Sequence, residues 1–403
     1  ERLQADSAMA EQVADTAGSI EQLLSNLGRP QALKRAVALR ERAAEAIPAW
    51  GKARFENERL MIERLTGQGQ LPAATRKAQA LLAQAQAAGI EAYAGADYDL
   101  AIAHWLLGQV LKKGGQAKPA LGLFVEAQRL FEALGERYDE DSERMAAVTL
   151  GEQADCLAAL GQLGAAVEKY AQNIQRAEKL EDFRQVAVGK GQLAAVLTSQ
   201  GKYEEAIARL QSARTLFEQQ NEPAMVATAW HQLGIVYQKA GQYDPAETAY
   251  RQSLEIKTRR GDLSGQANSL LQLGNLYKTC LNRPEEAVTF YRQAAEKYVR
   301  QEDLRSEGLV RNNIAGALCK LGRYDEARTE ILRAIECAQA FGHVAEPWKT
   351  FAILQNIETA TGNPAAARAA WQQARDAYLA YRQQGGYAQQ PGGKLVDGVL
   401  AMV

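Results

Sequence analysis

An all-α fold of about nine stacked antiparallel helix pairs is predicted by three observations. A short turn motif recurs nine times along the 403 residues, apolar residues flank its copies at helical period, and nine of the ten prolines fall between the helices so defined. The clearest copies are G-Q-Y-D-P-A at Gly241 to Ala246, G-K-Y-E-E-A at Gly201 to Ala206 and G-R-Y-D-E-A at Gly322 to Ala327. Looser copies end at Ala32, Ala74, Ala120, Ala166, Ala287 and Ala367, so successive anchor alanines lie 40 to 46 residues apart. A unit of that length holds two helices and two connections.

Within a unit, the first helix is marked by a stripe such as Ala267, Leu270, Gly274 and Tyr277, and the second by Ala246, Tyr250 and Leu254. Glycine ends the first helix because it tolerates the left-handed conformation. Proline suits the opening turn of the second, where its missing N–H has no helical partner. Pro30, Pro72, Pro119, Pro245, Pro284 and Pro364 sit at this turn, while Pro48, Pro223 and Pro347 lie where one pair hands over to the next. Ala154, Ala194, Gly234, Gly274 and Ala315 share one register in the first helices. A small residue there lets paired helices approach to the low end of the usual ~8 to 10 Å. Two anchor spacings of 46 residues place longer connectors, with a hinge or a change of curvature, at Gly89 to Leu100 and Gly135 to Arg144. The chain therefore divides into a degenerate repeat region at 1–143, a regular array at 144–383 and a Gly/Pro linker opening a truncated helix at 384–403.

Trp230, Leu233, Gly234, Tyr237, Tyr243, Ala246 and Tyr250 follow the pattern W-x2-L-G-x2-Y-x5-Y-x2-A-x3-F, with Tyr in the last place. This unit resembles the tetratricopeptide repeat family; its neighbours keep Leu273, Gly274, Tyr277, Ala287 and Tyr291, then Tyr324 and Ala327. The resemblance is specific from about Gly151 to Ala374. The unit is longer than the family's and is similar to the subclass in kinesin light chains, G-protein-regulator scaffolds and sensor arrays of large bacterial signalling proteins. The resemblance implies a right-handed superhelical solenoid whose first helices line a concave groove, used to bind a protein or peptide.

Chemistry-bearing motifs are thin. Gly201-Lys202 and Gly393-Lys394 lack the hydroxyl residue of a phosphate-binding loop. His104, His231 and His343 lie in different pairs without metal-ligand spacing, and Cys156, Cys280, Cys319 and Cys337 read as four buried thiols. Glu204-Glu205 and Glu285-Glu286 open second helices, where negative charge suits the helix dipole. No enzyme, cofactor or metal site is expected. A net charge of −1 gives no general attraction to nucleic acid, and no apolar run is long enough to cross a membrane. The N-terminus lacks an apolar signal region, which with reduced cysteines places the chain in the cytoplasm.

The expected partner-binding positions are outward residues of the first helices: His231, Gln238, Leu271, Asn275, Lys278, Asn312, Asn313, Lys320 and Lys349. His231 is expected on the face turned away from pair packing, in line with Leu271 and Asn312. In chaperone-binding relatives, positions matching Asn275, Asn313 and Lys349 form part of a carboxylate clamp; Leu271 and Ile353 stand at its two other positions. Trp105 is either a groove anchor or a core residue. The start at Glu1 and the apolar Leu395–Val403 stretch suggest a fragment of a longer protein. The predicted role is a non-enzymatic scaffold in the sensor or interaction region of a larger bacterial signalling protein, with an effector domain in the same parent. The alternatives are a stand-alone peptide-sensing regulator and a part of an enzyme whose catalytic domain lies elsewhere.

Overall fold

In the computed structural model, the described residues are 50–339 and 347–383, with scattered positions before residue 40. They contain fifteen helices between Lys52 and Gln383, in two compact units, Glu1–Leu216 and Phe217–Val403. In unit 1 these are α1 (Lys52–Gly67), α2 (Leu71–Ala88), α3 (Ala96–Lys113), α4 (Ala117–Ala159), α5 (Leu163–Lys179) and α6 (Phe183–Ser199). Helix α7 (Tyr203–Gln219) ends across the division. Unit 2 continues with α8 (Pro223–Lys239), α9 (Tyr243–Arg259), α10 (Leu263–Thr279), α11 (Pro284–Arg300), α12 (Leu304–Lys320), α13 (Tyr324–Gln339), α14 (Pro347–Ala360) and α15 (Pro364–Gln383).

Consecutive helices pack on one another from α1 to α6 and from α8 to α15, and Lys190 Nζ meets Ser212 Oγ at 3.2 Å between α6 and α7. Eight of the nine expected pairs fall on these helices. Of the first, around Ala32, only scattered positions are described, and the 384–403 tail lies outside the described residues.

All eight helices from α5 to α12 are 17 residues long, and they are joined by three-residue turns except for the four residues between α10 and α11. The turn inside a pair and the turn between pairs are built alike. Gly241, at φ +77°, lets Gln242 N–H reach back to the Tyr237 carbonyl at 2.9 Å, and Asp262 N–H makes the same five-residue return to Lys257 at 3.0 Å. At three hand-over turns the left-handed residue is not glycine but Glu181, Asn221 or Glu302. What marks a hand-over is the cap. Asp182, Asp262 and Asp303 each accept a hydrogen bond from a backbone N–H three residues on, at 2.9, 2.8 and 3.0 Å. At Glu222 the role passes to Pro223 in the first helical position.

The pair interface keeps the expected register. A Cβ built on Gly234 would lie 2.5 Å from the Tyr250 ring, one on Gly108 would lie 2.7 Å from Phe124, and one on Gly274 would overlap Tyr291. At the same register, Ala194 is followed by Leu210 and Ala315 by Ile331. Where the second helix offers a large ring, the first usually offers glycine; where it offers a branched aliphatic chain, the first offers alanine. Ala154 with Tyr170 departs from this rule, and there the tyrosine hydroxyl is bound by Asp155 on the facing helix.

Two expectations are corrected. The connector at Gly135 to Arg144 does not exist, because α4 runs unbroken for 43 residues and serves as the second helix of one pair and the first of the next. The boundary drawn at 143/144 thus falls inside a helix. The longer connector after Gly89 is present, with Gly89 and Gly95 both at positive φ before α3 begins. Of the four thiols, Cys156 and Cys337 are buried, whereas Cys280 and Cys319 are half-exposed. Cys280 and Cys319 lie at the ends of first helices, beside the buried Leu276, Tyr277 and Leu318.

Candidate functional site

The first helices of unit 2, α8, α10, α12 and α14, carry all nine expected partner-binding residues. Behind them stand tyrosines from the second helices. Tyr250 Oη donates to Gln238 Oε1 at 3.0 Å, and Tyr291 Oη donates to Asn275 Oδ1 at 2.7 Å. Each tyrosine fills the space left by a glycine, so the amide it holds is positioned by the same contact that sets the helix spacing. Gln238 spends its Nε2 on Cys280 Sγ, 3.5 Å away. Asn275 keeps both amide N–H donors without a partner among the described residues.

On α12, Asn312, Gly316 and Lys320 make one stripe at four-residue steps. Asn312 Nδ2 donates to Thr350 Oγ1 of α14 at 3.0 Å, joining neighbouring first helices, while its buried Oδ1 has no partner among the described residues. Thr350 is not among the residues that the sequence singles out. It opens the next first helix at the register of Ala229, Ser269 and Val310, all buried, and that recurrence was the available signal. Asn313 is half-buried and Leu271 leans on the core of α10 to α13. Lys320 and Lys349 are exposed, the latter with its ammonium 5.9 Å from the centre of the Trp348 ring.

His231 departs from expectation. It does not face away from the pair but is half-buried, with its ring edge-on to Tyr250 at 5.6 Å and its Nδ1 without a partner among the described residues. The reason is local: with Gly234 admitting the Tyr250 ring, the histidine three residues earlier finds an apolar wall beside it. Burial, and then the ammonium of Lys257, which hydrogen-bonds Ser269 Oγ at 3.1 Å, lower the imidazole pKa to about 4.

This burial makes stability depend on pH. In the unfolded chain His231 takes up a proton near pH 6.5, but in the folded chain only near pH 4. Between these values the unfolded state binds more protons, so folding stability falls as pH falls through this window. His231→Leu, the residue at the same register in α10, is expected to remove a loss of up to about 3 kcal/mol between pH 7 and pH 4. Urea unfolding of both chains across that range measures it; a wild-type minus variant difference that stays flat with pH would refute it.

In unit 1, Trp105 is packed into the cores of α1 to α4, which gives it a core place. Asp99, 1% exposed, accepts from Lys52 Nζ at 2.7 Å and Tyr93 Oη at 2.9 Å, and Lys112 is met by Glu152 and Asp155. These are compensated charges that hold helices together. Among the described residues no group of histidines, cysteines and acids is arranged to hold a metal ion, and no helix is long and apolar enough to cross a membrane. His104 is buried with Nδ1 on the Leu100 carbonyl at 2.9 Å, and His343 lies outside the described residues. The acidic pairs Glu204-Glu205 and Glu285-Glu286 stand in the first turns of α7 and α11, as expected for dipole partners.

Comparison with known proteins agrees with this architecture. Tetratricopeptide repeat family models match residues 185–259, 225–298 and 309–342. No curated protein sequence matches significantly. Among solved structures, a signal transduction ATPase with numerous domains and a tetratricopeptide repeat sensor, from Pyrococcus horikoshii, is similar with a TM-score of 0.60 at 15% identity, over 93% of this chain and 54% of its own. This chain thus spans about half the length of that protein. The apo quorum sensor NprR from B. thuringiensis is similar at 0.54 and 14% identity, over 91% of this chain and 98% of its own. A Rap protein complexed with competence and sporulation factor is similar at 0.51 and 15% identity, over 94% and 100%. At these identities the likeness is one of fold. The helix pairs within residues 185–298 and 309–342 are tetratricopeptide repeats, and the other described pairs share their arrangement.

Proposed function

We propose that the first-helix face of unit 2 recognises a protein or peptide segment, and that the chain is a non-catalytic sensor or interaction region within a larger bacterial signalling or effector protein. The observation that carries this reading is Asn275. Its Oδ1 is held by Tyr291 at 2.7 Å, so its two N–H donors are fixed in direction and have no partner among the described residues. A peptide carbonyl can take those donors without the amide first losing rotational freedom. Leu271 offers an apolar contact one turn earlier, Lys278 lies almost one turn later, and Asn312, Asn313 and Lys320 extend the polar surface on α12. Lys349, His231 and Gln238 border it. The likeness to a repeat sensor of a multidomain ATPase supports the effector-linked reading. A second reading, a stand-alone peptide-sensing regulator, is favoured by the Rap protein, which was solved with a sporulation factor bound and matches this chain over its whole length.

The test is selection of random dodecapeptides on the purified chain, then calorimetry of the recovered peptides. Asn275→Ala with Asn312→Ala is expected to weaken binding about tenfold or more, the worth of one or two directed hydrogen bonds. Recovered peptides that bind the double variant as tightly as the parent would refute this face. A gene encoding no effector domain beside the repeats would refute the sensor assignment and leave the stand-alone reading.

A further inference from the structure

Among the withdrawn cations described, Lys278 stands apart, with the exposed Lys320 as its neighbour; the buried Lys257, which also lacks a carboxylate at salt-bridge distance, instead donates to Ser269 Oγ at 3.1 Å. Lys112 is met by two carboxylates, and so is Arg311, whose Nε and Nη1 lie 2.8 and 2.6 Å from Glu307 and Glu330. Lys278 is half-buried like them, yet no carboxylate among the described residues approaches it or Lys320 within salt-bridge distance. Both lysines lie in the last turn of a first helix, where a cation complements the dipole. That preference is met equally well by an exposed lysine, such as Lys239 in the last turn of α8. It does not explain why Lys278 reaches across to α12. Its Nζ lies 3.2 Å from the point where Gly316 would carry a Cβ. The same register on α8 and α10 holds Ile235 and Asn275, so glycine here leaves a bare floor under the ammonium. Lys320 lies one turn beyond Gly316 on the same face. Lys278 has its pKa lowered, first by burial and then by the charge of Lys320. Two like charges that act on one another, with only the Cys319 thiol partly offsetting them and no carboxylate among the described residues beside them, are unfavourable unless an anion completes the group.

We propose that Lys278 and Lys320 form a seat above Gly316 for the carboxylate side chain of an aspartate or glutamate in the bound segment. This rests on the recognition face proposed above and assigns the chemistry of the residue it takes. The seat lies at the opposite end of the first helices from Lys349 and is built from different residues than Asn275, Asn313 and Lys349. Two ammonium donors on one carboxylate make charge-assisted hydrogen bonds, about twice as strong as neutral ones, and the low polarity around Lys278 strengthens them further.

Peptides recovered from the dodecapeptide selection supply the probes. An acidic residue is expected at a fixed place in them, and its amide form is expected to bind about tenfold more weakly. Lys278→Met with Lys320→Met, which keeps the aliphatic stems, is expected to cause a similar loss and to make the acid-to-amide change silent. Lys320→Glu, at an exposed site that tolerates the change, is expected to move the preference at that place to lysine or arginine. Recovered peptides without acid enrichment would overturn the seat. So would an acid-to-amide loss that persists in the double methionine variant, tighter binding of phosphoserine than glutamate at that place, or loss on amidating the peptide C-terminus alone. If no recovered peptide responds to the Asn275 and Asn312 changes, the recognition face itself is refuted and the seat with it; if they respond but the lysine variants bind normally, only the seat is refuted.

Discussion

Gly234→Ala is expected to destabilise unit 2 by about 2 kcal/mol, although alanine is the better helix former. Helix propensity alone would favour the change by about 1 kcal/mol. Against that, the new methyl would lie 2.5 Å from the Tyr250 ring, which is fully buried and cannot withdraw without loosening its hydrogen bond to Gln238. Overpacking of this kind costs about 1 to 3 kcal/mol, and occasionally more, so the clash wins. The register pairs Ala194 with Leu210 and Ala315 with Ile331, which gives the compensating change. In a Tyr250→Leu background, Gly234→Ala is expected to be neutral or stabilising. Tyr250→Ala, which empties the space altogether, is expected to cost about 3 to 5 kcal/mol. Chemical unfolding of the four chains of this cycle measures the coupling; additive effects within about 0.5 kcal/mol would show that the two residues do not share one space.

Glu307→Gln is the second change with a large expected effect, about 3 kcal/mol. The carboxylate is 1% exposed and accepts from Arg311 Nε at 2.8 Å and from Arg333 Nε and Nη2 at 3.0 and 3.2 Å. Removing one member of a buried ionic group costs about 3 to 5 kcal/mol. The lower end applies because Arg311 keeps Glu330 and Arg333 keeps Glu336 as second partners. Burial pushes the Glu307 pKa up, but the hydrogen bonds and charges of Arg333 and Arg311 outweigh it, and the net shift is downward. A carboxylate held low in the folded state contributes stability above its unfolded value, about 4.5, and loses it as pH falls through the folded value. The difference between wild type and variant is therefore expected to be full at pH 7 and to shrink below about pH 4.5. A difference independent of pH would mean that packing, not charge, is what the substitution removes.

The turns and pair crossings were legible in the sequence because each is a demand on single residues. Only glycine or a few polar residues accept a positive φ, and only glycine fits under Tyr250 and Tyr291, so those requirements surface as letters at fixed spacing. Helix α4 was not legible as one helix. Gly135 to Arg144 is rich in charge and reads as a connector, yet no proline lies between Pro119 and Pro223, and one glycine inside a helix costs only about 1 kcal/mol. The lean of His231 was hidden for another reason. Periodicity assigns a residue to a face, but position 231 borders two faces, and the side chain's choice depends on the ring that Gly234 admits from the next helix. The separation of Asn275, held by Tyr291, from Lys278, which spans to Gly316, likewise depends on contacts between helices and leaves no mark in spacing.

The near equality of the two kinds of turn has a consequence for how such a chain can change length. With 17-residue helices and, but for the four residues between α10 and α11, three-residue joints, from Leu163 to Lys320 the chain repeats every twenty residues or so in backbone geometry and every forty in side-chain character. Gain or loss of a whole unit leaves every later helix on its own side, so the surface can be lengthened or shortened without rebuilding the helices downstream. Gain or loss of a single helix keeps the backbone in step but exchanges the sides, placing cap aspartates where glycine turns belong and tyrosines where their hydroxyl partners should be. Length in this molecule is thus a quantity that can vary in steps of one unit, and half a step is forbidden by side chains alone.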